Sequence, residues 1–351
     1  MKILYIDTPI DPPGGGQVSL FYILKNLKDK FEIKVFLPYK CEFLDWLKNE
    51  NIDVEVVPLS NLFYKIKKFK PDIIHCNSAT TKYTFFSALI SKILQIPFIW
   101  HNRTLDTAGC KERFIAKLST KIVVISDTVG EKFLNFKEKV IKIYNAVDTE
   151  KFRPGLDIEY LYKEFNINEN SKIVGIISRL EPWKGHRMFL EAARIVKDKF
   201  GNTIVFLVVG TGEEKYKEEL VKLSIKLGLE ENVIFTGFRD DIPQIINLCD
   251  VIVNPSIEPE PFGRTIIEAM ACGKVVITTN LGGPKEIIEN RIDGFLVNSD
   301  AREIAKILIE VIEDDKLRKR IGKNAREKVI EKFNIIQQVK TIEILYEQMM
   351  K

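Results

Sequence analysis

The sequence predicts an α/β protein made of two doubly wound parallel-sheet domains in tandem. Short β-rich apolar runs alternate with helical stretches from end to end, the pattern of parallel strands joined by crossover helices. That rhythm breaks once, in the polar stretch 145–170, which contains Pro154 and Gly155 and reads as a hinge region. At 351 residues the chain is long enough for two domains that each bury a core.

In the first half, strands are expected near Ile3–Ile6, Ile33–Phe36, Val54–Val57, Asp72–His75, Phe98–His101, Ile122–Ile125 and Val140–Ile143. Amphipathic helices near 17–28, 42–50, 79–94 and 127–135 separate most of them. A second series runs through Ile173–Ile177, Ile204–Val209, Val233–Phe235, Val251–Asn254, Val275–Thr278 and Phe295–Val297. Beyond residue 300 the chain is charged and helical, without further strands. The first domain is placed at 1–155 and the second at 156–335. Two such domains imply an interdomain cleft faced by the carboxyl ends of both sets of strands, where open α/β sheets bind ligands.

Composition narrows the function. With 45% hydrophobic and 29% charged residues, the balance is that of a soluble globular protein. The five cysteines are odd in number and form no CxxC pair, which argues against structural zinc and a disulfide framework and for a reducing, cytoplasmic compartment. The opening Met1–Asp7 is too short an apolar run for a signal peptide, and Phe85–Trp100 is interrupted by Lys92, Gln95 and Pro97, so it cannot span a bilayer as a helix. Charge is unevenly shared: residues 1–155 hold 24 Lys/Arg against 17 Asp/Glu, a net +7, leaving −3 for the rest. The basic clusters 65–70 and 111–121 suit anionic lipid at the inner face of a membrane or a phosphorylated acceptor, although solvated helix faces look the same. No helix-turn-helix, zinc-finger or RNP pattern accompanies them, so nucleic acid is not expected.

The most informative segment follows the apolar run Val251–Val253, where Glu260 and Glu268 stand eight residues apart across Pro261-Phe262-Gly263-Arg264-Thr265. It reads as a strand, a Pro/Gly loop and a helix start, with one carboxylate in the loop and one in the helix. A carboxylate accepts from two adjacent hydroxyls and so suits sugar or ribose diols. Gly263 lets backbone approach a ligand, and the amides of 263–265 at a helix start attract an anion. Either glutamate alone reads better as a solvated loop or helix-surface charge. Together they describe a ligand with diols at both ends and phosphate between, a nucleotide sugar.

Arg179 ends the strand Ile173–Ile177 and Lys184 lies in the next turn, two cations placed to neutralise a diphosphate and support a departing nucleotide. Gly210-Thr211-Gly212 and Thr236-Gly237 are tight strand-to-helix turns, the first suited to close ligand approach. Gly14-Gly15-Gly16 follows the first strand but is not GxGxxG, and no acidic residue after the second strand is placed to hold a ribose, which disfavours a dinucleotide oxidoreductase. His101 ends Phe98–Trp100, where an imidazole can bond a sugar hydroxyl or respond to charge at a reacting carbon. His75 could line the same cleft, whereas His186 reads as a helix start. Asp240-Asp241 reads as a helix N-cap rather than a metal ligand.

Taken in order, the Gly-rich loop 14–16, Ser126, Asn145-Ala146-Val147-Asp148, Arg179-Leu180 with Lys184-Gly185, Gly210-Thr211-Gly212, the E-x7-E element, Gly282-Gly283-Pro284 and Asp293-Gly294-Phe295 resemble the retaining glycosyltransferases of family 4. The resemblance covers essentially the whole chain and is strongest over 173–297. It implies the GT-B fold and a last helix, 336–351, crossing back onto the first domain. It also implies that Glu260 and His101 meet the transferred sugar, Glu268 the ribose, and Arg179 with Lys184 the diphosphate. Phe262, Gly263, Arg264 and Thr265 would contribute to donor binding, Gly15 and Gly16 would close over phosphates or acceptor, and Gly210, Gly237 and Arg239 would neighbour the nucleotide. The implied reaction is front-face displacement with retention, needing neither metal nor cofactor, from a nucleotide-diphosphate sugar (UDP before GDP) to a glycan or lipid-linked acceptor. A non-catalytic nucleotide-sugar-binding activator and a nucleotide-sugar epimerase are the alternatives.

Overall fold

The computed structural model describes residues 1–105 and 109–350; residues 106–108 and Lys351, the last residue of the expected helix 336–351, lie outside the described residues. The chain divides into two compact units, Met1–Ala146 with the segment from Ile335 onward, and Val147–Asn334. The boundary expected at 155/156 lies earlier because 147–155 folds onto the end of the second unit. Val147 donates its amide to the Phe333 carbonyl at 2.9 Å, and Asn334 donates to Thr149 Oγ1 at 3.2 Å. The Arg326 guanidinium reaches the Phe152 carbonyl at 3.4 Å.

The first unit holds seven parallel strands: β1 (Lys2–Ile6), β2 (Glu32–Leu37), β3 (Asp53–Val56), β4 (Ile73–Cys76), β5 (Phe98–Asn102), β6 (Lys121–Val124) and β7 (Val140–Lys142), in spatial order β3-β2-β1-β4-β5-β6-β7. Every residue of β4 and β5 is buried, as expected of strands covered on both faces by crossover helices. The C-terminal helix Ile335–Met349 adds Val339, Ile342, Leu345 and Tyr346 to the core around Ile3, Tyr5, Leu24 and Val35. Two basic clusters prove to be helices in their own right, Leu62–Phe69 and Cys110–Leu118. The helix expected near 127–135 is instead one α-turn, Asp127–Gly130, continued as a 3₁₀ segment, Glu131–Lys139, with non-helical backbone at Phe133 and Phe136.

The second unit holds β8 (Lys172–Ile177), β9 (Ile204–Val209), β10 (Val233–Gly237), β11 (Val251–Asn254), β12 (Val275–Thr279) and β13 (Phe295–Val297), all parallel, in the order β10-β9-β8-β11-β12-β13. In each sheet the strand order reverses once, between β1 and β4 and between β8 and β11. Loops leaving the carboxyl ends of two such neighbours diverge to opposite faces and leave a crevice, the usual ligand site of open α/β sheets. In the second unit those two loops carry Arg179 with Lys184 and Glu260; in the first they carry the glycine run 14–16 and residues 77–78.

Candidate functional site

The loops after β8 and β11 are locked together by backbone. Ile257 donates its amide to the Trp183 carbonyl at 2.8 Å. Gly185 takes a left-handed φ of +77°, and a Cβ there would stand 1.8 Å from the Pro255 carbonyl oxygen, so only glycine fits. This contact brings Lys184 to Glu260: Nζ lies 2.8 Å from Oε1, with both side chains largely out of solvent. The ammonium also lies 4.0 Å from the centre of the Trp183 ring, a cation–π contact.

Glu260 is 4% exposed, and a buried carboxylate must be partnered on its oxygens. Besides Lys184, the Ser256 hydroxyl donates to Oε1, and Ser256 is itself tied to β11 and β12 through Asn254 Oδ1 at 3.2 Å and the Thr279 hydroxyl at 2.6 Å. The backbone of Glu260 is pinned by the following loop: Gly283 donates its amide to the Glu260 carbonyl at 2.8 Å. A Cβ on Gly282, at φ +70°, would lie 2.4 Å from that carbonyl oxygen. Ser256 and Gly282 thus hold Glu260 in place, and the sequence reading singled out neither. The pair Gly282-Gly283 was visible only as a family feature without a role.

Gly263, at φ +108°, precedes the helix Arg264–Ala271, which has no side-chain cap; Ile266 donates its amide back to the Gly263 carbonyl at 3.1 Å, which leaves the amides of Arg264 and Thr265 for an outside acceptor. A Cβ on Gly263 would lie 3.7 Å from Glu260 Oε2, which places this helix start beside the glutamate. Thr265 donates its hydroxyl to the Ile177 carbonyl at 3.2 Å, holding the helix start against the end of β8, while Phe262 is buried against Phe333. Glu268, 9% exposed, accepts from Arg264 at 2.6 Å within the helix. The other Arg264 amine, Nη1, is buried without a partner among the described residues.

Not every expected neighbour converges here. Arg179 bonds Glu181 at 2.8 Å and is 61% exposed at its side chain, so it does not join Lys184 at Glu260. Gly210, expected to approach a ligand, instead makes its close approach to protein: its Cβ would lie 2.0 Å from the Ser178 carbonyl, and its amide bonds the Gly237 carbonyl at 2.9 Å. Gly237 has a left-handed φ of +73° with open space where a side chain would go. Arg239 is held by both carboxylate oxygens of Asp241, at 2.8 and 2.6 Å, and by Glu164. Asp241 occupies the N-cap position expected of it, but its carboxylate serves Arg239 and makes no cap bond. His186 begins its helix, fully buried, with Nε2 3.2 Å from the Ser178 hydroxyl, and burial lowers its pKa to about 4. Among the described residues, no group of three or more His, Cys, Asp or Glu is placed to hold a metal ion.

The first unit contains a separate buried polar network at its own switch point. Asp7 is fully buried and accepts from Gln17 at 3.0 Å and Asn77 at 3.1 Å; burial raises its pKa to about 6. Arg103 donates to Asn77 Oδ1 at 2.7 Å and to Asn145 Oδ1, and Asn145 also accepts from Ser19 at 3.2 Å. Gly15 opens the helix Gly15–Leu27. Gly16 lies over this arginine, a Cβ there standing 3.6 Å from Arg103 Cδ. The glycines 14–16 all lie outside the left-handed region, so they serve by lacking side chains and not by an unusual backbone. His101 is 1% exposed, with its Nδ1 facing both His75 and Arg103. Asp7, Gln17, Asn77 and Arg103 escaped the sequence reading; the only signal was Arg103 lying two positions after His101.

Two family models match nearly end to end: "Glycosyltransferase Family 4" over residues 13–151 and "Glycosyl transferases group 1" over 157–328. The chain belongs to glycosyltransferase family 4. This family 4 enzyme is 28% identical over 332 residues to the Escherichia coli UDP-Gal:α-D-GlcNAc-diphosphoundecaprenol α-1,3-galactosyltransferase, covering 89% of this chain and 82% of that one. It is 28% identical to the Campylobacter jejuni N,N′-diacetylbacillosaminyl-diphospho-undecaprenol α-1,3-N-acetylgalactosaminyltransferase, covering 88% and 89%. Among solved structures, Anabaena Alr3699/HepE in complex with UDP-glucose superposes with a TM-score of 0.88 at 30% identity, covering 99% of this chain and 100% of that one. The fold is GT-B, and the protein is a glycosyltransferase that uses a nucleotide sugar.

The glycine contact that positions Glu260 yields a paired test. Gly155 (φ +76°) and Gly282 (φ +70°) both have left-handed backbone, but only Gly282 abuts other atoms. Gly155→Ala is expected to lose about 1 kcal/mol in stability from backbone strain and keep its turnover. Gly282→Ala should displace Glu260 and lower turnover on the order of 10²-fold. Equal turnover in the two variants would contradict the pinning role.

Proposed function

We propose that the protein is a retaining, metal-independent transferase that moves a sugar from a UDP-sugar to a hydroxyl of a lipid-linked glycan acceptor. The observation that carries this reading is the Lys184–Glu260 pair beside the uncapped helix start at Gly263. An ammonium has three donors, so Lys184 can keep Glu260 with one and offer the others to a diphosphate. Arg179, whose exposed side chain bonds Glu181, swings to the same anion. These cations, with the amides of the first helical turn, supply the positive charge that a metal would otherwise bring.

Glu260 is assigned to the hydroxyls of the transferred sugar and Glu268 to the ribose diol. On ribose binding Glu268 shares its carboxylate between Arg264 and the diol, which its four lone-pair positions allow. No carboxylate is assigned as a covalent nucleophile: Lys184 and Ser256 hold Glu260 through Oε1, and its Oε2 is assigned to the sugar hydroxyls. The leaving phosphate, stabilised by Lys184 and Arg179, takes the acceptor proton on the same face of the sugar from which it departs, giving retention. UDP is favoured because a relative's donor is UDP-Gal and a structural neighbour binds UDP-glucose. A lipid-linked acceptor is favoured because two relatives act on diphosphoundecaprenol-linked sugars.

The first unit offers a surface for meeting such an acceptor at a membrane. The helices Leu62–Phe69, Lys82–Leu94 and Cys110–Leu118 and the segment Glu131–Lys139 expose Phe63, Tyr64, Phe86, Ile93, Phe114 and Leu134 among their lysines. Aromatic and aliphatic side chains interspersed with lysine suit the boundary of an anionic bilayer. No helix among the described residues is long and apolar enough to cross one.

Two sets of measurements test this reading. UDP at 100 times its dissociation constant should stabilise the protein by about 2.7 kcal/mol, visible as a thermal shift. Lys184→Ala should lower turnover on the order of 10²-fold, and Glu260→Gln should weaken UDP-sugar more than UDP. A Lys184→Ala variant with unchanged turnover sinks the diphosphate assignment. Donor binding with neither transfer nor slow hydrolysis points to the activator reading, and an epimeric nucleotide sugar formed without acceptor points to the epimerase. Second, the protein should sediment with vesicles containing anionic lipid at low salt and be released as salt rises. Phe63→Glu/Phe114→Glu should abolish that binding without changing UDP affinity. No sedimentation at low salt removes the membrane assignment.

A further inference from the structure

The buried surroundings of His101 contain a hydrogen-bond chain that reaches the last turn of the C-terminal helix. Tyr5 and Tyr346 share a hydroxyl–hydroxyl bond, and the Tyr346 hydroxyl lies 2.5 Å from His75 Nδ1. His75 Nε2 lies 3.2 Å from His101 Nδ1, and the Arg103 Nη2 amine lies 3.4 Å from the same nitrogen. All four rings of the chain are buried, and the Tyr5, His75 and His101 rings lie in a stack, 4.8 Å and 5.3 Å apart at their centres. His101 Nε2, at the far end, is buried with no hydrogen-bond partner among the described residues.

The direction of the chain follows from one obligatory donor. A guanidinium can only donate, so His101 Nδ1 must present a lone pair to Arg103. The same lone pair is what His75 Nε2 meets, so His75 carries its proton on Nε2 and leaves Nδ1 bare. Bare Nδ1 accepts from the Tyr346 hydroxyl, whose oxygen in turn accepts from Tyr5. Each bond then holds one hydrogen, and a neutral His101 must carry its own hydrogen on Nε2. Burial and the Arg103 charge keep both imidazoles neutral, with the His75 pKa lowered to about 3 and that of His101 well below its ordinary value. Burial likewise holds both tyrosine hydroxyls protonated, far above the ordinary range.

We infer that Tyr346 is a positioning residue which, by keeping the proton of His75 on Nε2, joins Arg103 in holding His101 as the Nε2–H tautomer, so that His101 meets the substrate as a hydrogen-bond donor and not as a base. A buried donor without a partner costs about 1–3 kcal/mol, a deficit that an incoming hydroxyl, ring or phosphate oxygen removes. The acceptor proton therefore does not go to His101, consistent with its passing to the leaving phosphate. This rests on the transferase reading only for the identity of that oxygen; the tautomer assignment stands on the first unit alone.

The test is two-bond ¹H–¹⁵N correlation of imidazole-labelled protein, which distinguishes the two neutral tautomers. With only three histidines in the chain, His101→Asn and His186→Asn spectra complete the assignment. Across pH 6–8, His75 and His101 should both give the Nε2–H pattern. Tyr346→Phe, its fold checked by circular dichroism, should turn His75 into a tautomer mixture and reduce the Nε2–H fraction of His101. Apparent substrate affinity should fall in proportion to that fraction, while UDP affinity stays at the wild-type value. An Nδ1–H pattern for wild-type His101, or unchanged tautomers in Tyr346→Phe, overturns the proposal. The wild-type spectrum decides the tautomer even if the variant fails to fold. The expected tautomers in a protein that transfers no sugar would leave the chain standing and remove the function assigned to it.

Discussion

The fixed point of the second unit is the carboxylate of Glu260, and what fixes it is the close approach of backbone to backbone at glycine. A carboxylate that is 4% exposed is tolerable only if its oxygens are satisfied, and here Lys184 and Ser256 satisfy one of them. Neither would reach it if Gly185 did not let the loop after β8 touch Pro255, or if Gly282 and Gly283 did not seat the loop after β12 against Glu260 and Phe262. Three loops from three adjacent strands thus converge on one charge. The remaining oxygen, Oε2, lies on the side of Gly263 and the helix start, where a ligand carrying both hydroxyls and phosphate finds an acceptor and donors together.

The two units solve the same problem with different chemistry. At the switch point of the second, charge is met by charge: Lys184 with Glu260 and Arg264 with Glu268. At that of the first, one arginine and one buried carboxylate are embedded among amides, hydroxyls and neutral imidazoles. Ion pairs can open to admit an anion without leaving either partner dry. The chain of neutral imidazoles and tyrosines instead holds the direction of its hydrogen bonds, because reversing one bond requires reversing all of them.

Much of this was legible in the sequence, for identifiable reasons. Most of the thirteen strands were readable because parallel strands covered on both faces are short continuous apolar runs, as in Ile73–Cys76 and Ile204–Val209, while the half-exposed edge strand Asp53–Val56 showed as an alternation of valine with acidic residues. The E-x7-E pair was readable because strand, loop and helix lie within one contiguous segment. The helices at 62–69 and 110–118 were obscured by the lysines that face outward from them. What did not show was anything assembled across the chain. Asp7, Asn77, Arg103 and Asn145 come from four separate loops, and Tyr346 reaches His75 across 271 positions. The pattern Gly210-Thr211-Gly212 suggested a ligand loop, but the same spacing serves a loop that must press on Ser178 and Leu180. Pairing was equally invisible: the alternation of charges at Arg179 and Glu181 gave no sign that they bond each other in preference to a shared site.

In the proposed function Glu260 and Glu268 are the two ends of a clamp, with Lys184 at the diphosphate between them. A crystal structure of the protein with UDP-glucose tests it most directly. In that complex ribose hydroxyls should lie on Glu268, hexose hydroxyls on Glu260, and a diphosphate oxygen within hydrogen-bonding distance of Lys184 Nζ. A bound UDP-glucose with both glutamates out of hydrogen-bonding reach, and Lys184 still turned only to Glu260, would contradict it.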